Sequence, residues 1–260
     1  MGLENLIFEK EGGIATIIVN RPKAMNALNS DVLTELGQVV EDIRKDDGVK
    51  VVIITGSGNR AFVAGADIAG FVKMDGSALK DFGAKGKGVF NQIEGMSKPV
   101  IAALNGMALG GGLELAMACH IRVAAEGAIL GLPEAGLGLI PGFAGTQRLP
   151  RIVGKAKAIE MMVTGDNISV EEALNLRLVN RVVPLGELRE TCVTMAKKIM
   201  TKAPLAVRYC IEAANEGFEE SFDRGCDIET EKLLAAFATE DAREGLNSFI
   251  ERRKPTYKGR

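Results

Sequence analysis

The sequence contains few of the residues that carry metal, disulfide or triad chemistry. It has no tryptophan, one histidine and four cysteines among 260 residues, and aromatic residues make up only 5% of the chain. The cysteines are widely spaced without a C-x-x-C pair, and one histidine cannot complete a zinc site at the usual spacing. We therefore expect reduced thiols and no bound metal. A Ser-His-Asp triad would depend wholly on His120, which lies in an apolar run and is expected to be structural.

The chain also lacks a dominant charge and an uninterrupted apolar run. Its 32 basic and 34 acidic residues leave a net charge of −2, and no basic stripe indicates a nucleic-acid partner. The apolar stretch 99–125 is interrupted by Asn105, Glu114, His120 and Arg122, which is typical of a buried core rather than a membrane span. The first residues show no secretory signal. We expect a bacterial-type cytoplasmic protein, or one of an organelle matrix.

Short runs rich in Val and Ile alternate with helical patterns over most of the chain. Strand-like runs occur at 6–8, 14–19, 51–54, 99–103 and 121–123, and helices are predicted from about 30 to 43 and from 79 to 93. This alternation predicts an α/β core. Beyond residue 185 only helical patterns occur, at 188–200, 204–214, 229–237 and 241–253. We divide the chain into a catalytic core, 1–195, and a C-terminal helical segment, 196–260.

Two glutamates lie in apolar surroundings directly after glycine-containing turns. Glu114 follows Gly110–Gly112, and Glu134 follows Gly131 by three residues. A buried carboxylate is costly unless it is neutral, paired or hydrogen-bonded. Two such groups close together tend to divide into one protonated and one ionised carboxyl group, the arrangement needed for paired acid and base catalysis.

Two turns of small residues have N–H groups that could stabilise a developing oxyanion. Gly110–Gly112 precedes a helical pattern, where free N–H groups favour negative charge, and Ala64–Ile68 is a second such turn. Both turns are equally compatible with simple close packing. Neither has the spacing of a nucleotide-binding fingerprint. Lys23, in a loop that joins a strand to a helix, fits either a phosphate contact or a solvated surface position.

Several segments together resemble the enoyl-CoA hydratase (crotonase) family, and in particular its short-chain bacterial members of the crotonase or 3-hydroxybutyryl-CoA dehydratase type. The likeness runs essentially end to end and is carried by residues 21–28, 62–68, 99–106, 108–115, 138–149, 237–241 and 249–254. The resemblance implies a spiral of ββα units, followed by a helical segment that builds homotrimers or homohexamers. It also implies an acyl-CoA substrate, with coenzyme A entering as part of that substrate and no further cofactor.

The implied reaction is reversible hydration of a trans-2-enoyl-CoA to a 3-hydroxyacyl-CoA. A double-bond isomerase, a cyclic dienoyl-CoA hydratase and a non-catalytic or RNA-binding relative are the alternatives, since one fold hosts many functions. An isomerase can work with one glutamate, so the presence of both Glu114 and Glu134 favours the hydratase.

The resemblance also assigns roles to individual residues. The N–H groups of Ala66 and Gly111 match the oxyanion hole, Glu114 matches the carboxylate that activates water, and Glu134 matches the one that exchanges a proton with the α-carbon. The residues expected to bind coenzyme A or substrate are Lys23, Ala24, Ala27, Ala64, Gly65, Asp67, Ile68, Leu132 and Gly142.

The chain departs from the family pattern at four positions. Family members often have Gln at Leu132, Cys at Leu113, Asp at His120 and Gly at Ala144. None of these departures removes a catalytic group. We expect Leu132 to face the acyl chain beside Glu134 and to influence acyl specificity.

Overall fold

Residues 2–260, which the computed structural model describes, form ten strands and eleven α-helices. The strands are β1 (Leu6–Glu11), β2 (Ile14–Val19), β3 (Val51–Gly56), β4 (Ala61–Val63), β5 (Val100–Leu104), β6 (Met107–Leu109), β7 (Ile121–Ala125), β8 (Ile129–Gly131), β9 (Ile168–Ser169) and β10 (Arg181–Val183). The helices are α1 (Ser30–Lys45), α2 (Ile68–Phe71), α3 (Gly76–Glu94), α4 (Gly111–Ala118), α5 (Gly145–Val153), α6 (Lys155–Thr164), α7 (Val170–Asn175), α8 (Leu188–Met200), α9 (Pro204–Phe218), α10 (Phe222–Phe237) and α11 (Glu240–Ile250). Short 3-10 helices occur at Pro22–Ala24, Pro133–Leu137 and Leu185–Glu187.

The strands form two sheets, and between β3 and β8 successive strands alternate between them. One sheet has six strands in the order β1-β2-β3-β5-β7-β10, and the other has four in the order β4-β6-β8-β9. From β3 to β8, each successive pair of strands contributes one strand to each sheet, and helices join β4 to β5 and β6 to β7. The predicted α/β class and the predicted spiral of ββα units are therefore confirmed.

Local sequence explains the two long helices of the core. Helix α1 begins after Asn29, whose side chain accepts a hydrogen bond from the Val32 N–H at 2.9 Å. Apolar side chains at helical spacing are buried along it, namely Val32, Leu33, Leu36, Val39, Val40 and Ile43. Helix α3 begins at Gly76, three residues before the predicted start, because the Asp75 side chain accepts from the Ala78 N–H at 2.8 Å. The capping bonds therefore set both starting points.

The four strands of the second sheet were not predicted from the sequence. Strands β4, β6 and β8 have only three residues each and β9 has two, which is too short to show an alternating pattern. Their pairing is non-local: Val63 lies beside Ala108, and Ala108 lies beside Leu130. These three strands are parallel, so their carboxyl ends meet at one edge of the sheet, where the two small-residue turns and Glu134 follow them.

The C-terminal region is helical after β10, as predicted. The predicted boundary at residue 195 falls within α8, whose Leu188, Cys192 and Ala196 pack in the second hydrophobic core on the six-stranded sheet. The division into 1–195 and 196–260 stays a prediction. Across residues 2–260, no helix combines the length and apolar character needed to cross a membrane.

Candidate active site

A cavity of about 400 Å³ lies at the carboxyl ends of β4, β6 and β8. It is lined by the turn after β4, the turn after β6, the segment after β8, and one side of α3. Glu114 and Glu134 both line it, together with mostly apolar side chains that include Ile68, Phe71, Leu79, Phe82, Leu109, Leu137, Leu139, Ile140 and Phe143. The structure thus brings the two predicted carboxylates into one apolar cavity.

Glu114 is held in a fixed position at the wall of this cavity. It lies on α4, a fully buried helix, and only 1% of the residue is exposed. Its Oε1 accepts hydrogen bonds from the N–H of Phe143 at 2.8 Å and from the N–H of Gly145 at 2.6 Å. Burial raises the pKa of Glu114 to about 7, although these two N–H bonds oppose the shift. Glu114 can therefore gain or lose a proton near neutral pH.

Glu134, in contrast to Glu114, does not lie on a buried helix. It belongs to the 3-10 helix Pro133–Leu137 at the surface. Its Oε2 is buried and has no hydrogen-bond partner within residues 2–260. Burial raises the pKa of Glu134, which favours the protonated form. A buried, unpartnered carboxyl oxygen at a cavity wall is suited to donate a proton to a bound molecule.

The backbone at Gly110 permits the close approach of Glu134 to the turn after β6. Gly110 has φ 50° and ψ −124°, a conformation that side chains with a Cβ rarely adopt. A Cβ added there would lie 2.9 Å from Glu134 Oε1. The conformation therefore favours glycine at this position, and an added Cβ would displace the carboxylate of Glu134.

The predicted oxyanion donors line the same cavity with free N–H groups. Leu28 pairs with Ala66 in a parallel bridge, and this bridge uses the Gly65 carbonyl and the Asp67 N–H, so the Ala66 N–H points away from it. Gly111 is the first residue of α4, where an N–H has no acceptor within its own helix. Within residues 2–260, neither N–H donates to a protein acceptor. Both remain available to an oxygen bound in the cavity.

The predicted substrate-binding residues fall into two groups. The cavity is lined by Ala64, Gly65, Ile68 and Gly142, whereas Lys23, Ala24, Ala27 and Asp67 lie outside its lining. The second group nevertheless lies close by, because the Ala64 N–H donates to the Met25 carbonyl at 3.1 Å. Asp67 is also held against this loop by an ion pair with Arg21 at 2.9 Å. Their role in binding coenzyme A stays a prediction.

The prediction that Leu132 faces the acyl chain is wrong. Leu132 is fully buried in the main hydrophobic core and is not among the residues that line the cavity. It directly follows β8, where its side chain packs into the core, and the chain then turns so that Pro133 and Glu134 reach the cavity. Leu132 therefore contributes to the packing of the main hydrophobic core.

An aromatic wall, which was not predicted from the sequence, closes one side of the cavity. Phe82 packs against both Phe71 and Phe143 with ring centroids 5.3 Å apart, and Phe143 contacts Phe90 at the same distance. Phe143 fits against Gly86 of α3, where an added Cβ would lie 2.3 Å from its ring, a separation that real atoms do not show. Phe82 lies within the predicted helix 79–93 and is buried, but the helical pattern did not reveal the cavity that Phe82 lines.

His120 has the structural role that was predicted for it. Its Nδ1 accepts from the Val100 N–H at 2.9 Å, and its Nε2 donates to the Glu94 carbonyl at 2.9 Å. Burial lowers the pKa of His120, which favours the neutral ring that these two bonds require. The lining of the active-site cavity does not include it.

Comparisons with known proteins identify the family of this chain. The family profile described as "Enoyl-CoA hydratase/isomerase" matches residues 9–260. Crotonyl-CoA hydratase of Syntrophomonas wolfei is 49% identical over 257 residues, which cover 99% of this chain and 99% of the relative. Short-chain-enoyl-CoA hydratase of Clostridium acetobutylicum is 47% identical over 254 residues, covering 98% of this chain and 97% of the relative.

Solved structures give the same result. The crystal structure of enoyl-CoA hydratase from Bacillus anthracis superposes with a TM-score of 0.96 at 39% identity, and the match covers 99% of this chain and 100% of that one. The fold and the paired carboxylates define an enzyme of the crotonase class. This chain belongs to the enoyl-CoA hydratase/isomerase family.

Proposed function

We propose that this enzyme catalyses the reversible hydration of a short-chain trans-2-enoyl-CoA to a 3-hydroxyacyl-CoA. The observation that carries this proposal is the pair of carboxyl groups in one apolar cavity, Glu114 and Glu134, both with raised pKa values. Relatives named crotonyl-CoA hydratase and short-chain-enoyl-CoA hydratase support it. An isomerase moves a proton within its substrate, whereas hydration needs one group for water and another for carbon.

The thioester carbonyl binds between the free N–H groups of Ala66 and Gly111. Attack on the β-carbon moves electron density onto this oxygen, so the two donors stabilise the enolate-like charge as it forms. Loss of one oxyanion donor typically costs about 2.7–4 kcal/mol of transition-state stabilisation. The position of Gly111 at the start of α4 adds the positive end of the helix dipole.

The two glutamates divide the proton transfers. Ionised Glu114 takes a proton from water, and the hydroxide equivalent forms a bond to the β-carbon. Protonated Glu134 gives its proton to the α-carbon, so that the elements of water are added across the double bond. Since both N–H bonds go to Oε1 of Glu114, its Oε2 is left to accept the proton from water. Positioned proton transfer contributes roughly 10²–10⁴-fold.

The aromatic wall supports a short acyl chain. Phe82 and Phe143 both line the cavity, and they are only 5% and 4% exposed. Their packing against each other leaves little freedom to open. A four-carbon acyl group fits this arrangement better than a long one.

We also propose that the enzyme assembles as a homotrimer or homohexamer, is located in the cytoplasm and needs no cofactor beyond the coenzyme A of its substrate. The assembly is supported by large apolar side chains that α9, α10 and α11 leave exposed, such as Phe222, Phe237 and Phe249. Light scattering at micromolar concentration tests the assembly, and a monomer mass would contradict it. Dialysis against a chelator should leave activity unchanged, because carboxyl and N–H groups supply every step.

The direct test is hydration of crotonyl-CoA, measured as the loss of the ultraviolet absorbance of its conjugated thioester. Glu114→Gln and Glu134→Gln should each lower kcat by about 10²-fold or more while the fold is kept. Parallel assays with a cyclic dienoyl-CoA and with a 3-enoyl-CoA distinguish the other reactions of the family. Near wild-type turnover in either variant would show that the two-carboxylate mechanism is wrong.

A further inference from the structure

A buried arginine contacts the same segment that holds Glu114. Arg148, on α5, is 7% exposed, and its Nη1 donates to the Phe143 carbonyl at 2.9 Å. The N–H groups of Phe143 and Gly145 are the two donors to Glu114 Oε1. One guanidinium therefore fixes the segment 143–145 from which Glu114 receives both of its hydrogen bonds.

The remaining hydrogen bonds of Arg148 go to helix α3. Its Nη2 donates to Glu94 Oε2 at 2.7 Å and to Asn91 Oδ1 at 2.7 Å, and its Nε donates to Glu94 Oε2 at 3.1 Å. Arg148 thus joins segment 143–145 to the end of α3. A planar guanidinium can make these bonds at once, whereas the point charge of a lysine cannot.

Glu94, the α3 residue that pairs with Arg148, is itself held by two other parts of the fold. The Glu94 carbonyl accepts from His120 Nε2 at 2.9 Å and from Asn215 Nδ2 at 2.8 Å. His120 lies between α4 and β7, and Asn215 lies on α9. Glu94, which accepts hydrogen bonds from Arg148, is therefore connected to the core through His120 and to the C-terminal helix α9 through Asn215.

Segment 143–145 requires such support because its backbone is strained. Ala144 has φ 76° and ψ 19°, in the left-handed region that residues with a Cβ adopt at an energetic cost. A strained residue persists where its surroundings over-determine its conformation. The bond from Arg148 to the Phe143 carbonyl, next to Ala144, provides this constraint.

We propose that Arg148 is a positioning residue for the hydration reaction, which holds segment 143–145 so that its N–H groups fix the carboxylate of Glu114. This inference rests on the proposed function, because it assigns Glu114 the role of the base. Arg148 is not among the residues that line the cavity. It acts on Glu114 through segment 143–145.

The charges around Glu114 predict the direction of the pH effect. Glu134, from the 3-10 helix, raises the pKa of Glu114, and Arg148, from α5, lowers it. Lys80, on α3, is the cation that lines the cavity itself. Removal of Arg148 takes away a positive charge and loosens two N–H donors, so both changes raise the pKa of Glu114.

The experiment compares Arg148→Gln with Arg151→Gln on purified enzyme. Arg151 lies three residues further along α5, carries the same charge and pairs at the surface with Glu219 at 3.1 Å. In crotonyl-CoA hydration, Arg148→Gln should lower kcat by about 10²-fold, as a small misplacement of a catalytic group does. KM should change by less than about twofold. The acid limb of the kcat/KM profile should move to higher pH, whereas Arg151→Gln should match the wild type.

A second measurement does not depend on activity. Amide hydrogen exchange at Phe143 and Gly145, without substrate, should be faster in Arg148→Gln than in the wild type or in Arg151→Gln. If the wild-type enzyme does not hydrate crotonyl-CoA, the proposed function fails, and the exchange rates still test the positioning role.

Retained kcat, pH profile and amide protection in folded Arg148→Gln, with only a lower Tm, would overturn the proposal. Should Arg148→Gln not fold, Arg148→Lys and Glu94→Gln take its place in the same assays. Arg148→Lys keeps the charge and loses the fork of donors, and Glu94→Gln removes the ionic anchor on α3. Faster exchange at the two amides with lower kcat supports the proposal, and unchanged values in both variants overturn it.

Discussion

The substitution Gly145→Ala tests how closely the position of Glu114 controls catalysis. A Cβ at residue 145 would lie 2.8 Å from Glu114 Oε1, whereas ordinary van der Waals contact begins at 3.4 Å. The carboxylate must therefore move by about 0.6 Å, the difference between these two distances, or the backbone must move by a similar amount. Since a displacement of about 1 Å can cost roughly 10²-fold in rate, a shift of this size predicts a loss of about 15-fold in kcat.

The assay is steady-state hydration of crotonyl-CoA across pH. The Gly145 N–H bond of 2.6 Å should lengthen, which raises the pKa of Glu114 and moves the acid limb of kcat/KM to higher pH. Gly136→Ala is the matched control, because a Cβ there meets no atom within 4 Å. If Gly145→Ala retained the wild-type kcat and pH profile, Glu114 would not act from the position described here.

Three further variants test other features of the site. Glu114→Gln should be more stable than the wild type at about pH 8 and equally stable near pH 4.5. The folded-state pKa of Glu114 is about 7 and exceeds the unfolded value of 4.5. The wild type therefore loses on the order of 3 kcal/mol of unfolding free energy as pH rises through this range, and the variant does not. Urea unfolding at both pH values checks this, and a pH-independent difference would contradict it. Ala144→Gly should raise the free energy of unfolding by roughly 0.5–1 kcal/mol, because it relieves the left-handed strain at a smaller entropic cost; an unchanged Tm would show that no strain is stored there. Phe82→Ala should raise kcat/KM for an eight-carbon enoyl-CoA relative to crotonyl-CoA by about tenfold, and an unchanged ratio would exclude the aromatic wall as the limit on chain length.

The sequence predicted the parts of this protein that local patterns specify. The helical pattern at 30–43, which corresponds to α1, is a local signal, and the glycine turns and apolar surroundings of Glu114 and Glu134 are local signals as well. The short strands β4, β6 and β8 were missed because their only support is non-local pairing. The hydrogen bonds to Glu114 were missed for the same reason, since their donors lie 29 and 31 residues further along the chain.

Side-chain direction was the second property that the sequence did not determine. Leu132 stands two residues before Glu134, and closeness in sequence suggested that both face the substrate. The chain turns between them, and the leucine packs in the core instead. Arg148 shows the converse case: it belongs to a segment that resembles the family, but its role became visible only through its contacts with Phe143 and Glu94.

The two glutamates of the cavity differ in how freely evolution or an engineer can change them. Glu114 belongs to a helix buried along its whole length, and its carboxylate accepts a hydrogen bond from the Phe143 N–H, so a replacement that changes the shape of the side chain disturbs the interior. Glu134 lies on a short surface helix with one oxygen unbonded, and its neighbours Ala135, Gly136 and Leu137 are exposed. New chemistry on this scaffold can therefore be explored by changing the exposed segment, while the buried glutamate and the free N–H groups of the cavity are kept constant.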